Sequence, residues 1–283
     1  MSSIRIPKWI GWPLLAAWTY LVLNLLVDWS MFHPDKYPGG LWHLQEHFGA
    51  EDVWMMTSDG VRIHGWKLRA QPDAEWVTLY LHGNAGNLTH RVDHMEMIPK
   101  AGSNLFLVDY RGYGKSEGKP TEEGIYRDAD AAYEYLIEAG YRPEQLVIYG
   151  ESLGTAAAVD LASRRACAGV VLEAAFPSAA AVAGRVLPLL GPLAARGRLE
   201  TAKKLEGVKA PLLVIHGTRD QVIDYELGRE VFEAAPEPKQ FWSVEGAQHS
   251  DIPQVAGERY IARLQEFFRT LRPPNGNGTA NSW

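Results

Sequence analysis

The chain has 283 residues, of which 46% are hydrophobic and 22% charged, a composition that excludes disorder throughout and suits one α/β domain or two small ones. Its formal charge is −6 and its isoelectric point near 5.9, so the basic footprint of a nucleic-acid binder is absent. The single cysteine, Cys167, excludes an intramolecular disulfide framework and a multi-cysteine zinc site, and leaves the redox compartment open.

The mean hydropathy of −0.20 hides an uneven distribution. Residues 9–27 carry no charged side chain, and this run of 19 is close to the roughly 20 that a helix needs to cross a bilayer. Four of the ten tryptophans, Trp9, Trp12, Trp18 and Trp29, lie in the first 29 residues, three of them near the ends of the run, where such rings favour the headgroup level. Asn24, Thr19 and Pro13 dilute the run enough to leave an interfacial helix open. A cleaved leader would need a small-x-small site, which the segment after Val27 does not supply. We therefore expect residues 1–30 to form a membrane anchor, transmembrane or interfacial. Arg5 and Lys8 before it favour a cytoplasmic amino terminus and an extracytoplasmic domain.

Residues 31–49, rich in Pro, Gly and His, read as a linker with one short helix. Strand-like runs follow at 52–56, 61–68, 76–81, 104–108, 146–149, 168–172, 212–215 and 239–244. Helical patterns fall at 89–101, 121–139, 153–165, 225–235 and 255–271. The turn Ser58-Asp59-Gly60 makes the first two strands a hairpin. From residue 76 strand and helix alternate, which demands a mostly parallel sheet with helices on both faces. The expected division is an anchor at 1–30, an α/β domain at 31–272 with a small apolar cap at about 175–209, and a disordered tail at 273–283.

The strongest chemical signal is Gly150-Glu151-Ser152-Leu153-Gly154, placed after a strand and at the opening of an alanine-rich helix. A nucleophile elbow needs that context, because the serine sits on a strained strand-to-helix turn and the glycines allow close backbone approach. A serine hydroxyl is a weak nucleophile, so it needs a base, and the base needs an orienting acid. Asp220 and His249 follow the next strands in the order Ser, Asp, His and stand at strand ends that could bring them over Ser152. Glu173 is a rival acid whose structural role is the stronger reading, and Asp224 is better placed than Asp220 to cap the helix that follows. His82-Gly83-Asn84-Ala85-Gly86-Asn87 ends another strand and suits an oxyanion loop. We expect the Asn84 and Leu153 N–H groups to be the two donors, with Ala85 as the alternative to Asn84.

These runs, with DYRGYGKSEGKPTEEG at 109–124, LEAAF at 172–176, HGTRDQVI at 216–223 and GAQHS at 246–250, together resemble an α/β-hydrolase. They are similar to the Bem46-like branch, which includes membrane-anchored mammalian serine hydrolases. The resemblance spans about residues 50–270. It implies an eight-stranded sheet, a Ser152–Asp220–His249 triad, ester or thioester hydrolysis and no cofactor. The nearly uncharged stretch 176–195 is then expected to form an acyl-chain groove with Phe176, Val182, Val186, Leu187 and Leu190, rimmed by Arg196, Arg198, Lys203, Lys204 and Lys209. A core-packed helix is its plainer alternative.

Three lookalikes are declined. His43-Leu44-Gln45-Glu46-His47 matches a zinc pattern and His90/His94 share a helix face, but neither has an evident further ligand, so no metal is expected. Gly114-Lys115-Ser116 lacks the upstream glycine of a phosphate loop. The sequence thus points to a membrane-associated serine hydrolase of esterase or lipase type acting on lipid-like medium- or long-chain esters, monoacylglycerols and lysolipids among them. Acyl-protein thioesterase, amidase or aminopeptidase activity, or a silent lipid-binding scaffold, are the alternatives.

Overall fold

The computed structural model describes residues 31–70, 74–188 and 190–271, together with Leu15 and Trp18. A short strand β1 (His33–Pro34) and a one-turn helix α1 (Leu44–Phe48) precede the antiparallel hairpin β2 (Glu51–Met56) and β3 (Arg62–Leu68). Next come β4 (Trp76–Leu81), β5 (Ala85–Gly86), α2 (Val92–Lys100), β6 (Ser103–Asp109), α3 (Glu122–Glu138), β7 (Leu146–Glu151), α4 (Leu153–Arg164) and β8 (Gly169–Glu173). Three short helices, α5 (Ala179–Val186), α6 (Gly191–Ala194) and α7 (Thr201–Lys204), form the cap. The chain then runs through β9 (Leu212–Gly217), α8 (Tyr225–Ala234), β10 (Lys239–Val244), α9 (Ile252–Ala256) and α10 (Glu258–Thr270).

Eight strands form the main sheet in the order β10-β9-β8-β7-β4-β6-β3-β2, and antiparallel pairing is confined to β3 with its neighbours β6 and β2. The central strands are apolar on both sides because helices cover both faces. In β4, Val77, Leu79 and Leu81 enter one core layer with Phe106, Ile148, Leu172 and Val214. The alternate residues Trp76 and Tyr80 enter the other, with Leu107, Tyr149, Val171 and Ile215. That period of two turns a six-residue run, every position of it buried, into a partition between two helix layers. Caps fix the helix starts: the Thr121 side chain accepts from the Gly124 N–H, and Asp224 accepts from the Glu226 N–H.

Three expectations change. Residues 31–49 are not a loose linker: β1 pairs in parallel with β5, Phe32 is buried, and the Tyr37 N–H and Asp35 carbonyl bond the backbone of Gly114. The strap forms because it satisfies exposed backbone groups beyond the ends of β4 and β6. The helix expected at 89–101 splits into a 3₁₀ turn at Leu88–His90, opened by the Asn87 side chain, and α2. The helix expected at 255–271 instead starts at Ile252 and breaks at Gly257, whose φ of 56° and ψ of −134° suit glycine. No helix among the described residues is long and apolar enough to cross a membrane. Apart from Leu15 and Trp18, the expected anchor lies outside the described residues, and so does the expected tail.

Candidate active site

Ser152 stands between β7 and α4 with φ 50° and ψ −115°, a strained backbone for a residue with a side chain. Close packing on both sides makes this turn feasible. A Cβ on Gly154 would collide with the Leu81 carbonyl, and one on Gly150 would meet the Gly154 backbone. The turn is held by the Ser152 N–H donating to the Glu173 carbonyl at 2.8 Å, and by the Thr155 N–H and hydroxyl donating to the Ser152 carbonyl at 2.9 and 2.6 Å.

His249 and Asp220 reach this serine from the loops after β10 and β9. Nε2 of His249 lies 3.1 Å from Ser152 Oγ and its Nδ1 lies 2.8 Å from Asp220 Oδ2. A carboxylate only accepts, so the imidazole donates from Nδ1 and leaves Nε2 free to take the serine proton. Asp220 is itself oriented: its Oδ1 accepts from the Val222 and Ile223 N–H groups at 2.8 Å each, and the His216 ring approaches its Oδ2. Burial would raise the Asp220 carboxyl, but hydrogen bonds from His216 and His249 and the His249 charge outweigh it and hold the group well below its usual range. Burial would lower the His249 imidazole, and the Asp220 carboxylate more than offsets this, so its pKa lies above the ordinary value of 6.5.

The loop after β4 is fixed at nearly every backbone group. The His82 ring donates from Nδ1 to the Gly83 carbonyl at 2.6 Å, which sets the peptide whose far end is the Asn84 N–H. The Asn84 carbonyl accepts from the His33 N–H of β1 at 3.1 Å and from the Tyr113 hydroxyl at 2.8 Å. The Ala85 carbonyl accepts from Arg91 Nη2 at 2.9 Å. Among the described residues neither the Asn84 nor the Leu153 N–H has an acceptor, as two groups reserved for a ligand oxygen would require.

The side chain before the serine ties this loop to the elbow. Glu151 Oε2 accepts from the Tyr80 hydroxyl at 2.8 Å and from the Gly83 N–H at 3.3 Å, and lies 2.6 Å from Arg91 Nε in a charge contact not directed along the N–H bond. Burial alone would raise the Glu151 carboxyl; the Arg91 and His94 charges hold it at about 2. Sequence reasoning missed this clamp, because Arg91 sits in a turn 60 positions upstream with no local signal of its partner.

Glu173 does not serve His249. It accepts from the Tyr149 and Tyr260 hydroxyls at 2.6 and 2.7 Å and meets His94 Nε2 at 3.1 Å, deep in the core. His94 and His90 are thereby committed elsewhere, since His90 Nδ1 accepts from the Asn87 N–H. The five residues expected to form an acyl groove separate. Phe176 is buried, Val182 packs partly against the core, and Val186, Leu187 and Leu190 are exposed at the cap surface. The cap is therefore neither a core-packed helix nor a groove shared by all five. Small residues fill the contact between α5 and α6 and leave the larger aliphatics outside.

Residues 72–205 match the family model described as serine aminopeptidase, S33. Over 213 residues the chain is 38% identical to the Homo sapiens alpha/beta hydrolase domain-containing protein 17B, covering 75% of this chain and 72% of that protein. Over 227 residues it is also 38% identical to the Mus musculus alpha/beta hydrolase domain-containing protein 17C, covering 79% of this chain and 69% of that one. Among solved structures, the Pyrococcus furiosus esterase Pf2001 superposes with a TM-score of 0.69 at 24% identity, covering 84% of this chain and 99% of that one. The esterase domain of a Rhodothermus marinus protein gives 0.58 at 24% identity, covering 77% and 98%. The eight-stranded sheet agrees with these likenesses in fold, and the chain belongs to the α/β-hydrolase family, with the alpha/beta hydrolase domain-containing proteins 17B and 17C among its relatives, as a serine hydrolase of that type.

Proposed function

We propose that the protein hydrolyses carboxylic esters with medium or long acyl chains through an acyl-Ser152 intermediate. His249 takes the Ser152 proton as the hydroxyl attacks the carbonyl carbon, then passes it to the leaving alcohol. Water, deprotonated by the same imidazole, releases the acid and restores the serine. Asp220 keeps the imidazole in its tautomer and stabilises the imidazolium form, while the Asn84 and Leu153 N–H groups receive the oxyanion. The observation that carries this reading is the hydrogen-bonded series from Ser152 through His249 to Asp220 beside two N–H groups without acceptors among the described residues.

An aminopeptidase would need a free anion to hold the substrate amine. The two carboxylates next to the elbow are already committed, Glu151 to Arg91 and Tyr80, and Glu173 to Tyr149, Tyr260 and His94. The apolar cap and the uncharged run at 9–27 support a lipid-like substrate and association with a membrane. A panel of p-nitrophenyl esters from acetate to palmitate, with monoacylglycerols, a lysolipid and one acyl thioester, tests this. Turnover rising with chain length supports it. A maximum at acetate with no activity on the lipids overturns it, and preference for the thioester moves the assignment to a thioesterase.

A further inference from the structure

Four titratable side chains on neighbouring strands form a series that the triad does not use. Asp109 ends β6, and the register sets it opposite His64 of β3. His82 follows β4 on the other side, one residue beyond the Leu81–Val108 pair. All three are buried, and counting in twos from Trp66, Leu107 and Tyr80 puts them on one sheet face. The fourth, Asp52 of β2, is partly exposed and lies 2.6 Å from His64 Nε2. Burial would raise the Asp52 carboxyl, but hydrogen bonds from His64 and Lys115 hold it at about 2, so it accepts and His64 donates from Nε2. At the other end His82 donates from Nδ1 to the Gly83 carbonyl. A neutral His64 then presents a bare Nδ1 and a neutral His82 a bare Nε2. Both face Asp109, at 3.8 Å from Oδ2 and 3.4 Å from Oδ1. His64 Nδ1, His82 Nε2 and Asp109 Oδ2 have no hydrogen-bond partner among the described residues. Burial would raise the Asp109 carboxyl, but the two imidazoles and the Leu88 N–H, which donates to Oδ1 at 2.7 Å, hold it below its usual value. Lone pairs thus meet a carboxylate in a dry interior, an unfavourable arrangement that one added proton removes.

We propose that this proton sits on His82 Nε2, and that the doubly protonated ring, held by Asp109, is a positioning residue for the oxyanion site. The proposal rests on the ester reading above and names what arms its loop donor. Distance decides between the two rings. A hydrogen on His82 Nε2 has Asp109 Oδ1 at 3.4 Å, whereas one on His64 Nδ1 would find Oδ2 at 3.8 Å, out of reach. The surroundings of His82 also suit a cation: the Tyr110 and Tyr113 rings lie 4.6 and 5.1 Å away, and Glu151 is close enough to feel its charge. With that one proton the local charges balance, Asp52 against Lys115, Glu151 against Arg91 and Asp109 against His82. The effect then runs through a single peptide. A cationic ring donating from Nδ1 polarises the Gly83 carbonyl, draws electron density from the peptide nitrogen and makes the Asn84 N–H a stronger donor. The 2.6 Å contact is at the short end for such a bond, as charge assistance gives. It also fixes the plane of the peptide, so the donor is aimed before substrate arrives. Gly114 makes room for the anion, since a Cβ there would collide with Asp109 Oδ2.

The test uses the full wild-type chain with isotope-labelled histidine and a long-range proton–nitrogen spectrum that counts the hydrogens on each ring. His82→Asn and His64→Gln assign the two rings of interest among the nine. At the pH of the activity assay, His82 is expected to carry hydrogens on both nitrogens. A single hydrogen there, the pattern of a neutral or water-bridged ring, overturns the proposal, and so does a doubly protonated His64 beside a singly protonated His82. Asp109→Asn separates charge from packing, because the amide still accepts from the Leu88 N–H and offers its own N–H to a bare ring nitrogen. In this variant His82 should lose its second hydrogen, and kcat on p-nitrophenyl butyrate should fall about tenfold with KM within about twofold. An alkyl trifluoromethyl ketone, whose Ser152 adduct carries an oxyanion, should bind more weakly by the same factor. Loss of the hydrogen with kcat and ketone affinity unchanged contradicts the proposal. Where Asp109→Asn fails to fold, the ring count on the wild type decides alone. Fluorophosphonate labelling keeps the two ideas apart, because an unlabelled wild type sinks the ester reading while the ring count still reports on His82.

Discussion

Ser152 holds a backbone conformation that costs on the order of 1–3 kcal/mol, and three hydrogen bonds onto its own peptide groups sustain it. In the proposed mechanism its base is His249, whose pKa the Asp220 carboxylate raises. His249 must be neutral to accept a proton, and its pKa lies above 6.5, so activity should rise with pH through a midpoint above that value. Asp220→Asn removes the chief cause of the rise. We expect kcat to fall on the order of 10⁴-fold and the remaining acid limb to move to lower pH, measured as kcat/KM between pH 5 and 9. A limb that stays in place would show that Asp220 does not set the imidazole. The Arg91–Glu151 clamp predicts a different signature. Arg91→Met should lower kcat about 10- to 100-fold with KM within about twofold, because the loop donor is misaimed while the acyl site is untouched. Arg91→Lys should recover only part of the loss, since an ammonium offers no fork to reach both Glu151 and the Ala85 carbonyl. A Tm loss with kcat unchanged would make the pair merely structural. The triad residues were legible in the sequence because each sits in a short motif at a strand end; Arg91 was not, because its partner is set by tertiary packing alone.

At the scale of elements, strands read well and connections read poorly. The eight main strands follow from apolar runs, the central ones buried on both faces, and observed bounds differ from expected ones by at most two residues at either end. The strap at 31–42 was illegible because it uses backbone groups and one asparagine rather than an apolar pattern. The Asn87 side chain donates to the Asp35 and Gly39 carbonyls at 3.0 and 3.1 Å and accepts from the Thr89 N–H at 3.0 Å. Asn87→Ala should therefore destabilise the protein by about 1–3 kcal/mol in urea unfolding, because the buried Thr89 N–H loses its acceptor and the Asp35 and Gly39 carbonyls each lose one of two donors. It should also lower kcat, because the same strap holds the Asn84 carbonyl. Unchanged stability would mean that the strap contributes no net packing. The cap was legible as apolar but not in its exposure, which depends on the small-residue contact between α5 and α6.

At the scale of the whole molecule, alternation of strand and helix specified a parallel sheet, and chirality of the crossovers left few ways to order it. Motif order then placed three distant residues at one sheet end, where Ser152, Asp220 and His249 lie within hydrogen-bond reach. The amino-terminal run was legible only as composition, and its membrane role stands as a proposal. The central claim is that Ser152 is an activated nucleophile. Reacting the full chain with a fluorophosphonate and reading intact mass tests it most directly. The account predicts one adduct per wild-type chain, located on the peptide containing Ser152, and none on Ser152→Ala. An unreactive wild type, or an adduct that persists on Ser152→Ala, would contradict it.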